Sequence, residues 1–264
     1  VATGVAVVWG GLSRLEGWLL LGTVGSMGLM GFVDDWFKLR RPNAKGLPLM
    51  TKLLIALAIG AGVGAALSRA MPSSRQLLIP WTDRSIELGA LWIPLAMVVV
   101  AGSAHAVNLT AGMDGLAVVG VALACGLLGA WRMLRQPPDR LMAIWCASFA
   151  GACLGFLWFN SFPASVFLGD VGSLALGAAL GVTALCSHAA LALLIIGGVF
   201  VVETLSVMIQ IASYRWCNRR RIFRVAPLHH HFQVGGVPEQ KLVVRFWIAG
   251  ILLAALGWSA LSQS

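Results

Sequence analysis

The sequence predicts an all-α, polytopic membrane fold of about eight full transmembrane helices, with a partial span at its start. Its 264 residues are 59% hydrophobic and 11% charged, against roughly 25% charged in a soluble domain. Mean hydropathy is +0.86. Apolar runs near the ~20 residues that cross a bilayer recur from one end of the chain to the other. The 11 Trp and 11 Phe suit interface belts and lipid-facing surfaces.

Val1 lies within an apolar run, and 1–12 reads as a partial span whose start is truncated. Full spans follow at about 18–33, 49–67, 88–106, 116–131, 141–159, 173–187, 189–213 and 242–260. The connections carry the turn formers and the charge. Arg40, Arg41 and Lys45 follow the first full span; Pro72, Pro80, Asp83 and Glu87 follow the second; Pro137-Pro138 lies among Arg132–Arg140; a long basic loop covers Tyr214–Lys241. No soluble domain fits between the spans, so residues 1–264 read as one transmembrane domain. Glycine-rich faces such as Gly60-Ala61-Gly62-Val63-Gly64 suit close helix packing in lipid. The five cysteines (Cys125, Cys146, Cys153, Cys186 and Cys217) are odd in number and lack C-x-x-C spacing. They read as small buried hydrophobes, with no disulfide framework.

The net charge of +9 does not indicate nucleic acid. The basic residues lie between spans, where they set orientation and attract anionic lipid or substrate. Counting spans puts Lys38, Arg40, Arg41, Lys45, Lys52, Arg215, Arg219, Arg220, Arg221, Arg224, Lys241 and Arg245 on one side. Arg14, Arg69, Arg75, Arg84, Arg132, Arg135 and Arg140 fall on the other. The richer side is cytoplasmic by the positive-inside rule. Every unusual polar cluster then faces the cytoplasm.

Those clusters are few. Asp170, in Phe167-Leu168-Gly169-Asp170-Val171-Gly172-Ser173, is a lone carboxylate between glycines. It reads equally as a metal or phosphate contact and as the N-cap of the next helix. Asp34 and Asp35 end a span at its negative dipole end; they read as a solvated helix end, or as a pair serving a metal or acting as a base beside a phosphate. Lys38, one turn on, can bind phosphate as a point charge. Asn108, Thr110 and Asp114 mark a break between spans, either an ordinary turn or backbone lining a cavity. Asn160 offers a two-sided amide edge and Phe167 a stacking face, and both suit a nucleobase. His229, His230 and His231 follow Arg219-Arg220-Arg221 and Arg224, which reads as a pyrophosphate site before a metal site. Glu203, inside a span, reads as a structural hydrogen-bonding residue or part of a bend.

In this order the clusters resemble the phospho-N-acetylmuramoyl-pentapeptide transferase family, within the polyprenyl-phosphate hexose-1-phosphate transferases. The matching text includes Gly31-Phe32-Val33-Asp34-Asp35, Asn108-Leu109-Thr110, Met113-Asp114-Gly115-Leu116-Ala117, Phe156-Leu157-Trp158-Phe159-Asn160, Phe167–Gly177, Gly198–Val207 and Arg221–His231. The resemblance covers essentially the whole chain. It implies transfer of phospho-N-acetylmuramoyl-pentapeptide from UDP-N-acetylmuramoyl-pentapeptide to undecaprenyl phosphate, giving lipid I and UMP, with Mg2+ required. By position it implies Asp170 as the Mg2+ ligand and Asp34 and Asp35 as the acidic pair at the phosphate, Asp34 being a candidate base. It assigns His229, His230 and His231 to the diphosphate, Asn160 and Phe167 to the uridine, and Asn108, Asp114 and Lys38 to further substrate contacts. It also implies a homodimer in the bacterial inner membrane.

Three departures stand out. The family has a further span and a glycine-rich segment upstream, Asn where His105 stands, and Asp where Ala111 stands. The alternatives are a related transferase of another UDP-sugar and a non-catalytic homologue that binds lipid phosphate. A transporter fits less well, because the polar residues gather at one face rather than the midplane.

The topology has a direct test. Cysteines introduced at positions 43 and 76 are expected to differ when intact cells are labelled from outside, with 76 reacting and 43 protected; the reverse pattern inverts the assignment.

Overall fold

A computed structural model describes residues 2–10, 12, 14–40, 46–71, 75–82 and 84–263. Arg41, Lys45, Pro72 and Asp83 lie outside the described residues. The chain runs α1 (Ala2–Gly10), α2 (Leu15–Arg40), α3 (Leu49–Ala70), β1 (Gln76–Leu78), β2 (Ser85–Glu87), α4 (Trp92–Thr110), α5 (Leu116–Leu134) and α6 (Arg140–Asn160). It continues with α7 (Gly169–Cys186), α8 (Ala190–Ile196), α9 (Gly198–Trp216), α10 (Leu228–Val234) and α11 (Glu239–Ser262). Among the described residues seven helices are long and apolar enough to cross a membrane. The polytopic all-α expectation therefore stands.

The seventh full span expected, 189–213, is not one straight helix. It is α8 and α9, bent by 85° at the break. Gly197 and Gly198 stand at that break, and paired glycines are a common cause of sharp kinks. A second difference concerns α2. It runs on to Arg40, so Asp34 and Asp35 lie inside the helix and away from the unfavourable dipole end, which acts only over the last turn.

Helix α7 is the centre of the bundle. Residues 177–186 are buried throughout, with α2 and α4 packed along it. Lipid gives no hydrophobic drive for helix association, so small residues that let backbones approach do this work. A Cβ at Gly177 would fall on the Ser103 carbonyl of α4, and one at Gly31 of α2 on the backbone of Asp170. The core between them is alanine, valine and leucine, with Trp92, Trp145 and Phe149 fully buried. Four cysteines are buried, as expected; Cys217 is exposed.

The connection after α3 holds a short antiparallel hairpin, with Leu77 opposite Ile86. Trp81 ties it to the end of α11 through Nε1 to Ser259 Oγ at 3.1 Å, and His188 Nδ1 meets the Gln76 carbonyl at 3.0 Å. Asp139 caps α6 by accepting from Met142 N and pairs with Arg14 and Arg132. The hairpin, the α7–α8 turn and the end of α11 close one end of the bundle. The polar clusters gather at the other.

Gly177→Val probes this packing. Overpacking of this kind costs about 1–3 kcal/mol, so the variant is expected to unfold at a lower temperature in detergent. Gly155→Ala, where nothing lies within 4 Å of an added Cβ, should unfold like the parent. Equal stability of all three would remove the tight α4–α7 contact.

Candidate active site

Three carboxylates from two helices converge at the polar end. Ligand oxygens of Asp34, Asp35 and Asp170 all lie within 4.8 Å of one another. Asp34 is fully buried; its Oδ1 accepts from Leu47 N at 2.6 Å. Asp35 Oδ2 accepts from the Asp170 and Val171 amides at 3.0 and 3.4 Å. An α2 side chain thus satisfies the exposed amides at the start of α7, where helix polarity favours an anion. Gly169 adopts φ +61 there, and a Cβ on it would come within 2.9 Å of Asp35 Oδ2. Glycine is the residue that takes this conformation without strain.

Asp170 is not the cap of its own helix. Its Oδ1 accepts from Asn108 Nδ2 at 2.9 Å and its Oδ2 from Lys52 Nζ at 3.0 Å. Asn108 is fixed in turn by Ser173 Oγ at 2.8 Å. This separates the two sequence readings of Asp170: its carboxylate faces the cluster.

Two ammonium groups offset part of the charge of the three carboxylates. Lys38 Nζ lies 2.6 Å from Asp34 Oδ2, 3.2 Å from Asp35 Oδ1 and 3.3 Å from Asp170 Oδ2. Lys52 Nζ lies 3.4 Å from Asp34 Oδ2 and 3.0 Å from Asp170 Oδ2. Asp34 Oδ2 nevertheless has no aligned hydrogen-bond donor, although it is buried. A buried oxygen with spare acceptor capacity, next to two other carboxylates, fits a hard cation that takes oxygen ligands. The donor set suits Mg2+ or Ca2+ and lacks the His or Cys typical of zinc.

The histidines lie on α10, a short helix in the stretch read from sequence as a loop. His229 is fully buried. Its backbone N donates to Glu203 Oε1 at 3.2 Å, and its Nδ1 lies 3.0 Å from Glu203 Oε2. Carboxylate contact makes Nδ1 the protonated nitrogen and leaves Nε2 directed away from Glu203. A Cβ added at Gly112 would lie 2.6 Å from His229 Nε2 and 3.3 Å from His230 Nε2. Both rings therefore converge on the α4–α5 connection, four residues beyond Asn108. His230 Nδ1 pairs with Gln233 Oε1 at 2.9 Å, and His231 Nδ1 accepts from Arg224 N at 3.1 Å. The cavity beside Arg219, Arg221 and Arg224 is lined by none of the three histidines.

Asn160 and Asp114 brace one loop against another. Asn160 Oδ1 accepts from Gly115 N at 3.1 Å and its Nδ2 donates to the Val166 carbonyl at 2.9 Å. Asp114 Oδ2 accepts from Ala164 N at 2.9 Å. A cavity of about 80 Å³ lies between the two loops, with Ala111, Gly112, Asp114, Asn160 and Phe167 on its wall. Phe167 is largely exposed and offers a free ring face.

Lys52 is the group that the sequence reading did not place, while Glu203 is the structural hydrogen-bonding residue expected, with His229 as its partner. Lys52 entered it only as a charge setting topology, and Glu203 only as a structural hydrogen-bonding residue without a partner. An ionisable residue inside a span was the one available signal for each.

A profile of glycosyl transferase family 4 matches residues 17–188. The chain is 43% identical over 266 residues to the phospho-N-acetylmuramoyl-pentapeptide-transferase of Thermodesulfovibrio yellowstonii, covering 95% of this chain and 74% of that protein. Proteins of the same name from Citrifermentans bemidjiense and Geobacter sp. (strain M21) are each 43% identical over 271 residues, covering 97% of this chain and 75% of theirs. The chain therefore belongs to glycosyl transferase family 4, among the phospho-N-acetylmuramoyl-pentapeptide-transferases.

Proposed function

We propose that this membrane enzyme transfers phospho-N-acetylmuramoyl-pentapeptide from its UDP carrier to undecaprenyl phosphate, giving lipid I and UMP, at the cytoplasmic face. The observation that carries the reading is the cluster of Asp34, Asp35 and Asp170 against Lys38 and Lys52 at one end of the bundle. Phosphoryl transfer between two anions needs positioning and charge neutralisation more than covalent help from protein. A lipid phosphate arrives at the membrane surface, where these side chains are.

An oxygen of the lipid phosphate forms a bond to the phosphorus that carries the sugar. The bond from that phosphorus to the bridging oxygen breaks, and UMP leaves with the electron pair. Lys38 is the more exposed ammonium and meets the incoming phosphates as a point charge. Lys52, nearly buried, holds Asp170 in place. Asp34, paired with Lys38 and Lys52, is the candidate base toward the lipid phosphate. His229, oriented by Glu203, and His230 present Nε2 toward the Gly112 loop, where the diphosphate would lie. Phe167 supplies a stacking face for uracil, and Asn160 holds the loop that carries it. Mg2+ bound by Asp170, with Asp34 and Asp35 beside it, would neutralise charge on the diphosphate.

Asp170→Asn tests the metal assignment. Asparagine keeps an oxygen for Asn108 and loses the charge, so the fold should survive. Mg2+-dependent UMP release is expected to fall at least ~100-fold, with metal affinity reduced as well. Parental turnover in the variant would leave Asp170 a structural residue.

Ala111 tests the substrate assignment. It ends α4 and lines the small cavity beside Gly112, and its side chain carries no ligand atom. Displacement by even ~1 Å can cost about a hundredfold in rate, and Asp114, already bonded to Ala164 N, is not free to replace a missing carboxylate. Ala111→Asp is expected to raise UMP release above the parent in the same membranes. Strong turnover by the parent, unchanged in the variant, would show that this carboxylate is dispensable. No turnover by either would favour a non-catalytic homologue.

A further inference from the structure

A cavity of about 890 Å³, lined by none of the aspartates, lies between the end of α9 and the loop that follows it. It is lined by Arg215, Arg219, Arg221 and Arg224, with Tyr214 and Trp216 beside them. None of these four guanidinium groups has a carboxylate within 4 Å among the described residues, whose ion pairs lie elsewhere. Four clustered positive charges without internal partners repel one another. An external anion relieves that repulsion.

The cavity is built by specific bonds. The Gln210 side chain clamps the returning loop: Nε2 donates to the Phe223 carbonyl at 3.0 Å, while Oε1 accepts from the Ile222 and Phe223 amides at 3.1 and 3.0 Å. Ser213 Oγ donates to the Arg220 carbonyl at 2.9 Å. Asn218 and Arg219 take φ +48 and +60, reversing the chain so that Arg219 and Arg221 face back toward α9.

The place of this cavity names the ligand. Leu205, Met208, Ile209 and Ile211 are exposed apolar residues along α9, and the series ends at Trp216, which is 79% exposed. Tryptophan and tyrosine at the end of such a run mark the membrane–water interface. The arginines lie at that level, where a lipid phosphate is found and where each basic residue gains about 1 kcal/mol from an anionic surface. We propose that the arginine-lined cavity between α9 and residues 218–226 binds the phosphate headgroup of an anionic membrane lipid, with α9 taking its acyl chains. The site does not depend on the transfer reaction.

Cys217, the one exposed cysteine among the described residues, adjoins the cavity and provides a reporter. The full chain is labelled there with a fluorophore and reconstituted into phosphatidylcholine vesicles. These contain a small fraction of acyl-chain nitroxide phosphatidylglycerol or nitroxide phosphatidylcholine. Phosphatidylglycerol is expected to quench at least about fivefold more effectively, since about 1 kcal/mol corresponds to that ratio. In Arg219→Gln/Arg221→Gln the preference should collapse toward unity. Arg84→Gln, at the opposite end of the bundle, should keep it, and unfolding temperatures confirm that all three are folded. Equal quenching by the two lipids in the parent overturns the proposal, as does a loss in Arg84→Gln equal to that in the double variant. Loss of the preference on adding inorganic phosphate at constant ionic strength would assign the cavity to free phosphate, and loss on adding an acidic peptide would assign it to a peptide.

Discussion

A fully buried carboxylate within a membrane helix is stable only if cations and amides are brought to it, and Asp34 is such a group. Breaking a buried ion pair costs roughly 3–5 kcal/mol, which is large against the stability of an ordinary domain. The chain meets the demand from three directions. Lys38 comes from one turn along α2, Leu47 N from the turn before α3, and Lys52 from the first turn of α3 itself. Lys52 then reaches Asp170, so α3 is tied to α7, and Asp35 caps α7, so α2 is tied to it as well. Asn108 adds α4. Four helices are thereby held at one end, with the contacts among their small residues setting how closely they approach.

Much of this was legible in the sequence. Hydropathy located the seven unbroken spans, though it ended α2 too early, because burial in lipid requires long apolar runs. Asp34, Asp35, Asp170 and Asn108 stood out because polar residues at span ends are rare in this chain, and the structure brings them together. The resemblance supplied the roles of these residues; composition and spacing alone left Asp170 equally a cap and a ligand.

What stayed hidden depends on contacts between distant residues. Lys52 is one of 19 basic residues, and nothing local ties it to a carboxylate 118 positions away. Glu203 meets His229 only because α9 and α10 fold back on one another. The bend at Gly197 lay within an unbroken apolar run, whose length satisfied the criterion for a span. The hairpin was missed because three-residue strands leave no alternating pattern to detect. The extension of α2 past Asp35 was missed because the apolar run stops there, although Lys38 can extend the helix by pairing with Asp34.

The bend also explains how one helix serves two chemical settings. A sharp break in a span would normally leave backbone groups unpaired in hydrocarbon, at a cost of several kcal/mol each. Here each helix is bonded up to the break: Gly197 N donates to Leu193 O at 2.8 Å, and Val201 N to Gly197 O at 3.1 Å. Thr204 and Ser206 add bonds from their hydroxyls to the Phe200 and Glu203 carbonyls at 2.8 and 2.6 Å. At this break α9 departs from the direction of α8 by 85°. Its early turn then carries Glu203 beneath α10, where the carboxylate meets a histidine and is not left unpaired. Two turns later Gln210 and Ser213 fold the arginine loop against the same helix. The buried carboxylate and the basic surface are thus consequences of one glycine pair, which redirects a span that would otherwise run straight.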